Sequence, residues 1–148
     1  MKKLILMIIT SFLFITGCGN NPEPINFGED NCAHCKMMIT DEKYGAELVT
    51  DKGKIYKYDS IECLLEQLHK NTFRDDQIGS MWVIDFSNPR TLIDAKKAYY
   101  TKNDDFRSPM GLNVQAFGDL GDFEKFFNDN SGEKLTWTDL MKFAGTMH

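Results

Sequence analysis

Four cysteines decide what kind of fold is open to this chain, because the first of them closes a leader. Lys2 and Lys3 precede the apolar run Leu4 to Ile15, and Ile15-Thr16-Gly17-Cys18 comes next. A basic start, a short apolar stretch and small residues before a cysteine read as a bacterial lipoprotein signal, too short and wrongly flanked to persist as a span. On that reading residues 1–17 are removed, and Cys18 carries diacylglycerol on its sulfur and an acyl chain on its amine, so it is no longer a thiolate. Cys32, Cys35 and Cys63 remain. An odd number of thiols outside the cytoplasm cannot close an intramolecular disulfide framework. The fold must therefore rest on an apolar core, with at least one thiol free, metal-bound or paired elsewhere.

The chain beyond the leader is long enough for one compact domain. The whole chain has a formal net charge of −5, and loss of Lys2 and Lys3 makes the mature form more acidic. This argues against nucleic acid as a partner and against a basic grip on anionic lipid. Attachment to a bacterial membrane falls to the acyl chains, with the domain outside the cytoplasm, in the periplasm. Gly19-Asn20-Asn21-Pro22-Glu23-Pro24 reads as a polar, flexible spacer, so residues 18–28 form a lipidated tether and residues 29–148 the domain.

Within that domain strands and helices alternate. Ala46 to Thr50, the turn Asp51-Lys52-Gly53 and Lys54 to Tyr58 predict a β-hairpin. Asp59 or Ser60 caps a helix whose apolar face is Ile61, Leu64, Leu65 and Leu68. Met81 to Phe86 reads as a buried strand that Asn88-Pro89 ends, and Thr91 to Tyr100 as mostly extended. Ser108-Pro109-Met110-Gly111 makes a turn before a strand over Val114 to Phe117. Asp119 to Asn128 is a helix with Leu120, Phe123, Phe126 and Phe127 turned inward. Glu133 to Leu135 adds a strand and Trp137 to Phe143 a closing helix. Each half reads strand, strand, helix, strand, an α+β class built from two related units, residues 29–89 and 90–148, packed together.

The chemistry concentrates in Cys32-Ala33-His34-Cys35-Lys36-Met37-Met38, which puts two thiols, an imidazole and two thioethers in one short run. Thiolate and thioether sulfurs are polarizable donors that favour Cu(I), whereas a structural zinc site gains little from Met. A Cys-x-x-Cys alone also serves zinc or redox chemistry. No Ser-His-Asp spacing, phosphate-binding glycine loop or carboxylate pair stands out, so the chain does not read as an enzyme.

Taken in order, the lipobox Cys18, Cys32-x-x-Cys35-x-Met37, the hairpin, Tyr58-Asp59-Ser60-Ile61-Glu62-Cys63, Trp82-Val83 and Ser108-Pro109-Met110-Gly111 before Phe117 resemble the NosL family. These are lipoproteins that act as copper chaperones in the maturation of nitrous oxide reductase in denitrifying bacteria. The resemblance implies a periplasm-facing Cu(I) carrier of two related units that hands copper to the machinery loading the reductase. The family commonly has Gly before the Met of its motif. Here Lys36 precedes Met37 and a second Met comes after it, so either thioether is a candidate.

Cu(I) tolerates two or three soft ligands, so a carrier can keep its site open and pass the ion on by stepwise exchange. Cys32 and Cys35 would supply thiolate and Met37 or Met38 thioether. Met110 either closes the site from the second unit or plugs apolar surface under its turn. His34 is expected to point outward, Cys63 to serve packing, Asp59 to cap the helix, and the terminal Met147-His148 to fray. Two other readings remain open: a zinc-stabilised protein using Cys32, Cys35, Cys63 and His69, and a thiol-disulfide oxidoreductase using Cys32 and Cys35.

Overall fold

Alternating small, aliphatic and aromatic residues on either side of Asp51-Lys52-Gly53 produce the hairpin that organises the first half. Strand β1 (Ala46–Thr50) pairs antiparallel with β2 (Ile55–Tyr58), Leu48 facing Tyr56 across the ladder. Gly53 takes φ +77° in the connection, a conformation that costs glycine nothing. The computed structural model describes residues 19–144. The proposed leader, the lipidation candidate Cys18 and the terminal pair Met147-His148 lie outside the described residues.

After the hairpin come helix α1 (Ile61–His69) and strand β3 (Ile78–Ile84), which returns beside β1 with Leu48 against Met81. The stretch expected to be extended from Thr91 to Tyr100 is two strands with a turn between them. Strand β4 (Leu92–Asp94) adds to β3, while β5 (Tyr99–Lys102) starts a second sheet. Strand β6 (Val114–Phe117), helix α2 (Leu120–Asn130), strand β7 (Glu133–Leu135) and helix α3 (Trp137–Ala144) complete the described chain.

The first sheet has the order β2-β1-β3-β4 and the second β6-β5-β7. Each half is therefore strand, strand, helix, strand, with its first strand central and antiparallel to both neighbours. This is the α+β pair of related units that the sequence pattern implies. Helix α1 packs on β1, β2 and α3, and α2 packs on β5 and β6. One apolar core runs through both halves, joining Leu48, Leu64 and Leu65 to Tyr100, Val114 and Leu140. A second cluster brings Tyr44 and Phe86 of the first unit together with Phe117 and Phe123 of the second, flanked by Phe106 and Phe126.

Two expectations fail in instructive ways. Leu120, placed inward by its spacing, is 45 % exposed, because α2 opens there and buries its face only from Phe123 onward. The segment read as a flexible spacer is docked. The Ser80 hydroxyl donates to the Asn20 carbonyl, the Glu23 N–H to Glu47 Oε1 at 2.9 Å, and Lys57 Nζ to the Pro24 carbonyl at 2.9 Å. Glu47 is fully buried on β1, and its burial pushes its pKa up to about 7. A polar sequence can lie flat on a sheet when that sheet offers donors and acceptors for its backbone.

Candidate metal site

The Cys32–Met38 run folds back on itself. Asn31 and Met38 form an isolated antiparallel bridge, the Cys32 N–H donates to the Met37 carbonyl at 2.8 Å, and the Lys36 N–H to the Cys32 carbonyl at 3.0 Å. Lys36 takes φ +67° to close the turn. That is the left-handed region in which glycine is least strained. The loop is pinned to β2 by the Ala33 N–H donating to the Lys57 carbonyl at 2.7 Å.

A second element faces the loop. Tyr58-Asp59-Ser60 leaves β2 and turns into α1, whose third residue is Cys63. The three thiol sulfurs and an Asp59 oxygen all lie within 4.8 Å of one another. Cys32, Cys63 and Asp59 are buried and Cys35 is half-buried, so Cys35 forms the accessible side of the group. The Cys35 thiol donates to Asp59 Oδ2 at 3.3 Å. No thiol is in a disulfide among the described residues.

Protons in this group are shared unevenly. A hydrogen bond from the Cys63 thiol, joined by others from the backbone at Asp59, Cys35 and His34, outweighs burial and lowers the Cys32 pKa to about 5. Burial, with Cys32 and Asp59 adding to it, raises Cys35 to about 11. Cys63 is raised as well, first by donating to Cys32 and then by burial. Cys32, which accepts from the Cys63 thiol, is thus the sulfur of the group most readily deprotonated, while the Cys35 proton is directed to Asp59. A soft or borderline cation entering the group would displace those protons, which makes affinity rise with pH.

Several residues differ from their expected roles. Cys63, assigned to packing, is buried in the core and is also a member of the sulfur group. Asp59, expected to cap α1, bonds to Cys35, while Ser60 occupies the N-cap without a side-chain cap bond. His34 is not directed outward to water: its Nε2 pairs with Glu66 Oε2 of α1 at 2.8 Å, clamping the loop to the helix. The fourth member of the group is Asp59, not the His69 of the zinc reading, which sits in the last turn of α1.

The three candidate methionines are at the surface. Met37 is 50 % exposed, Met38 53 % and Met110 39 %. The Met37 backbone bonds to the Cys35 sulfur, placing that residue directly beside the accessible thiol. Met110 lies in a turn that is latched to α1. The Ser108 hydroxyl donates to Glu62 Oε1, and the Leu112 N–H donates to the same oxygen at 3.0 Å. Glu62 is the neighbour of Cys63, so the second unit reaches the helix that carries the third thiol. In the sequence Cys63 enters as a ligand only in the zinc reading, and nothing in local sequence pointed to Asp59.

Comparison with known proteins places this fold. The NosL family model matches residues 24–143. The crystal structure of the copper chaperone NosL from Shewanella denitrificans superposes with a TM-score of 0.69 at 22 % identity, over 82 % of this chain and 96 % of that one. At that identity the likeness shows a shared fold. No curated protein matches the sequence. The family match spans most of the chain, and the protein belongs to the NosL family.

Proposed function

We propose that this member of the NosL family is a membrane-anchored Cu(I) chaperone, held by lipid on Cys18, that delivers copper for assembly of nitrous oxide reductase. It acts as a carrier, not an enzyme. The observation that carries the reading is the convergence of Cys32, Cys35 and Cys63 on one point, with Cys35 open to the surface and exposed Met37 and Met38 just after it in the loop. Three sulfurs match the low coordination number and softness of Cu(I). The two buried thiols retain the ion, and Cys35 with an adjacent thioether offers the route by which a partner's ligand enters before another leaves. That the Shewanella denitrificans protein sharing this fold is described as a copper chaperone supports the cargo.

Zinc is the second reading, and Asp59 favours it: three thiols and one carboxylate oxygen supply four donors of types that zinc accepts. Replacing Met37 and Met38 together by Leu separates the two. Such volume-conserving swaps cost less than about 1.5 kcal/mol of stability, so the variant stays folded. Competitive titration with a Cu(I) chelator is expected to show weaker copper binding and faster release, with zinc affinity unchanged. Equal copper affinity in the folded variant removes the thioethers from the mechanism. X-ray absorption of the copper-loaded protein should then show an all-sulfur shell; an oxygen in it, with tighter zinc than copper binding, favours the zinc reading.

A further inference from the structure

Two thiols of the sulfur group belong to a loop and the third to a helix, so the group exists only while loop and helix stay together. Cys32 and Cys35 are in the turn that Asn31 and Met38 close, and Cys63 is in α1. The Ala33 N–H to Lys57 carbonyl bond ties the turn to β2, which is part of the sheet and not of the helix. The Cys35 thiol bonds to Asp59, just before α1, but a metal that takes that sulfur displaces the proton on which the bond depends.

His34 supplies the direct link to α1. Its Nε2 lies 2.8 Å from Glu66 Oε2, with both side chains mostly covered. An ionised carboxylate only accepts, so Nε2 carries the proton of that bond. Glu66 follows Cys63 by three residues, which puts the two on one face of the helix. Lys70 Nζ reaches the same Glu66 oxygen at 3.4 Å from the end of α1. The imidazole is outside the sulfur group: among the described residues, the donors within 4.8 Å of one another are Cys32, Cys35, Asp59 and Cys63.

We propose that Glu66 is a positioning residue for Cu(I): through His34 it holds the turn bearing Cys32 and Cys35 against the helix bearing Cys63, and so sets whether the ion meets three sulfurs or two. The inference rests on the carrier reading above. Neither side chain of the pair is a ligand. While the pair is made, the buried sulfurs Cys32 and Cys63 stay together and the ion is retained. When it breaks, Cys32 and Cys35 remain neighbours, because the bonds that close the turn are internal to it. Cys63 stays with α1 in the core. The ion then keeps two ligands, a state that Cu(I) tolerates and from which a partner's soft ligand takes it more readily. Release therefore needs one side-chain contact to open and no unfolding of the domain.

The test loads the full chain with Cu(I) and titrates it with a Cu(I) chelator, for wild type, Glu66→Ala, His34→Ala, the two combined, and Glu66→Gln. Glu66→Ala should lose about tenfold in affinity, as removal of an outer-shell partner does, and its X-ray absorption should show two sulfurs where wild type shows three. Its melting temperature should scarcely move, because a part-exposed pair adds little to stability. A merely structural role leaves the sulfur count unchanged. His34→Ala should match Glu66→Ala, and the combined variant should be no weaker than either, since both act through one contact. Glu66→Gln keeps an oxygen acceptor at the same reach and should return the affinity toward wild type. In a Cys63→Ala background, Glu66→Ala should have no further effect. A loss in His34→Ala well beyond that in Glu66→Ala makes the imidazole a ligand and overturns the positioning role. Wild-type protein that binds no Cu(I), or binds it without three sulfurs, overturns the carrier reading and the clamp together, whereas a three-sulfur wild type with unchanged affinity in folded Glu66→Ala protein overturns the clamp alone.

Discussion

The two strand-strand-helix-strand units share strand order and differ at the start of their helices. In the second, Asp119 caps α2 in the ordinary way, its Oδ1 accepting the N–H groups of Gly121 and Asp122 at 2.8 and 3.1 Å. In the first, Ser60 holds the N-cap of α1 without a side-chain cap bond, the preceding Asp59 turns to Cys35, and the third helical residue is Cys63. The positive end of a helix dipole stabilises a nearby negative charge. One unit uses it with a carboxylate, for stability. The other places a thiol group there. The first unit thus holds the reactive side chains, and the second contributes Phe117, Phe123 and Phe126 to an aromatic cluster that packs on Phe86 of the first in edge and tilted ring contacts.

If that division is real, damage to the two units must be separable. Phe117→Ala empties a fully buried position of the aromatic cluster and should cost about 3–5 kcal/mol by denaturant unfolding. Copper affinity in the fraction that remains folded should stay unchanged. A parallel fall in affinity would show that the second unit's packing shapes the thiol group, and the comparison would fail.

The converse is Cys63→Ala. Deleting one of three sulfurs should weaken Cu(I) binding by more than about tenfold, equivalent to 1.4 kcal/mol of binding free energy. Its effect on unfolding should be smaller than that of Phe117→Ala, since little volume is removed. Unchanged copper affinity would return Cys63 to a packing role.

Much of the frame was legible in the chain. The hairpin, both main helices and the strands at Val114 and Glu133 are set by period-two and helical spacing bounded by turn residues. Strand β4 was not separately legible, because a strand of three residues is too short to show a period of its own within the extended run Thr91 to Tyr100. The site was half legible. Cys32 and Cys35 declare themselves by spacing, whereas Cys63 sits inside the apolar run Ile61 to Leu65 and looks like any buried thiol. Asp59 and His34 are misread for the same reason. Their partners, Cys35 and Glu66, are 24 and 32 residues away, and no local rule reports a contact across that separation.

The caps give a smaller and sharper test. Asp119→Ala removes an acceptor of two N–H groups and should cost about 1 kcal/mol. Ser60→Ala should cost less, since Ser60 makes no cap bond, its hydroxyl reaching only Asp59 Oδ1 at 3.5 Å. Thermal melts of the two variants decide it. A larger loss for Ser60→Ala would mean that α1 is capped as tightly as α2.

The smallest effect is expected in the loop itself. The turn before β6 places Gly111 and Asn113 at φ +86° and +61°, residue types that tolerate the left-handed region. The corresponding turn of the first unit likewise uses Gly53 at φ +77°, whereas the loop of the sulfur group puts Lys36 at φ +67°. A side chain with a Cβ loses roughly 1–2 kcal/mol there. Part of that is offset by Lys36 Nζ donating to the Ala33 carbonyl at 2.6 Å, an exposed bond of modest worth. Lys36→Gly relieves the strain but enlarges the entropy of the unfolded chain, so the net gain should be below about 1 kcal/mol. The N–H to Cys32 carbonyl bond that closes the turn is retained, and copper affinity should therefore not change. A gain in stability with equal affinity would make Lys36 a tolerated strain in a loop whose shape the backbone sets. A fall in affinity would instead show that the lysine's charge helps hold the thiolate on Cys32, and would extend the site by one residue into the loop.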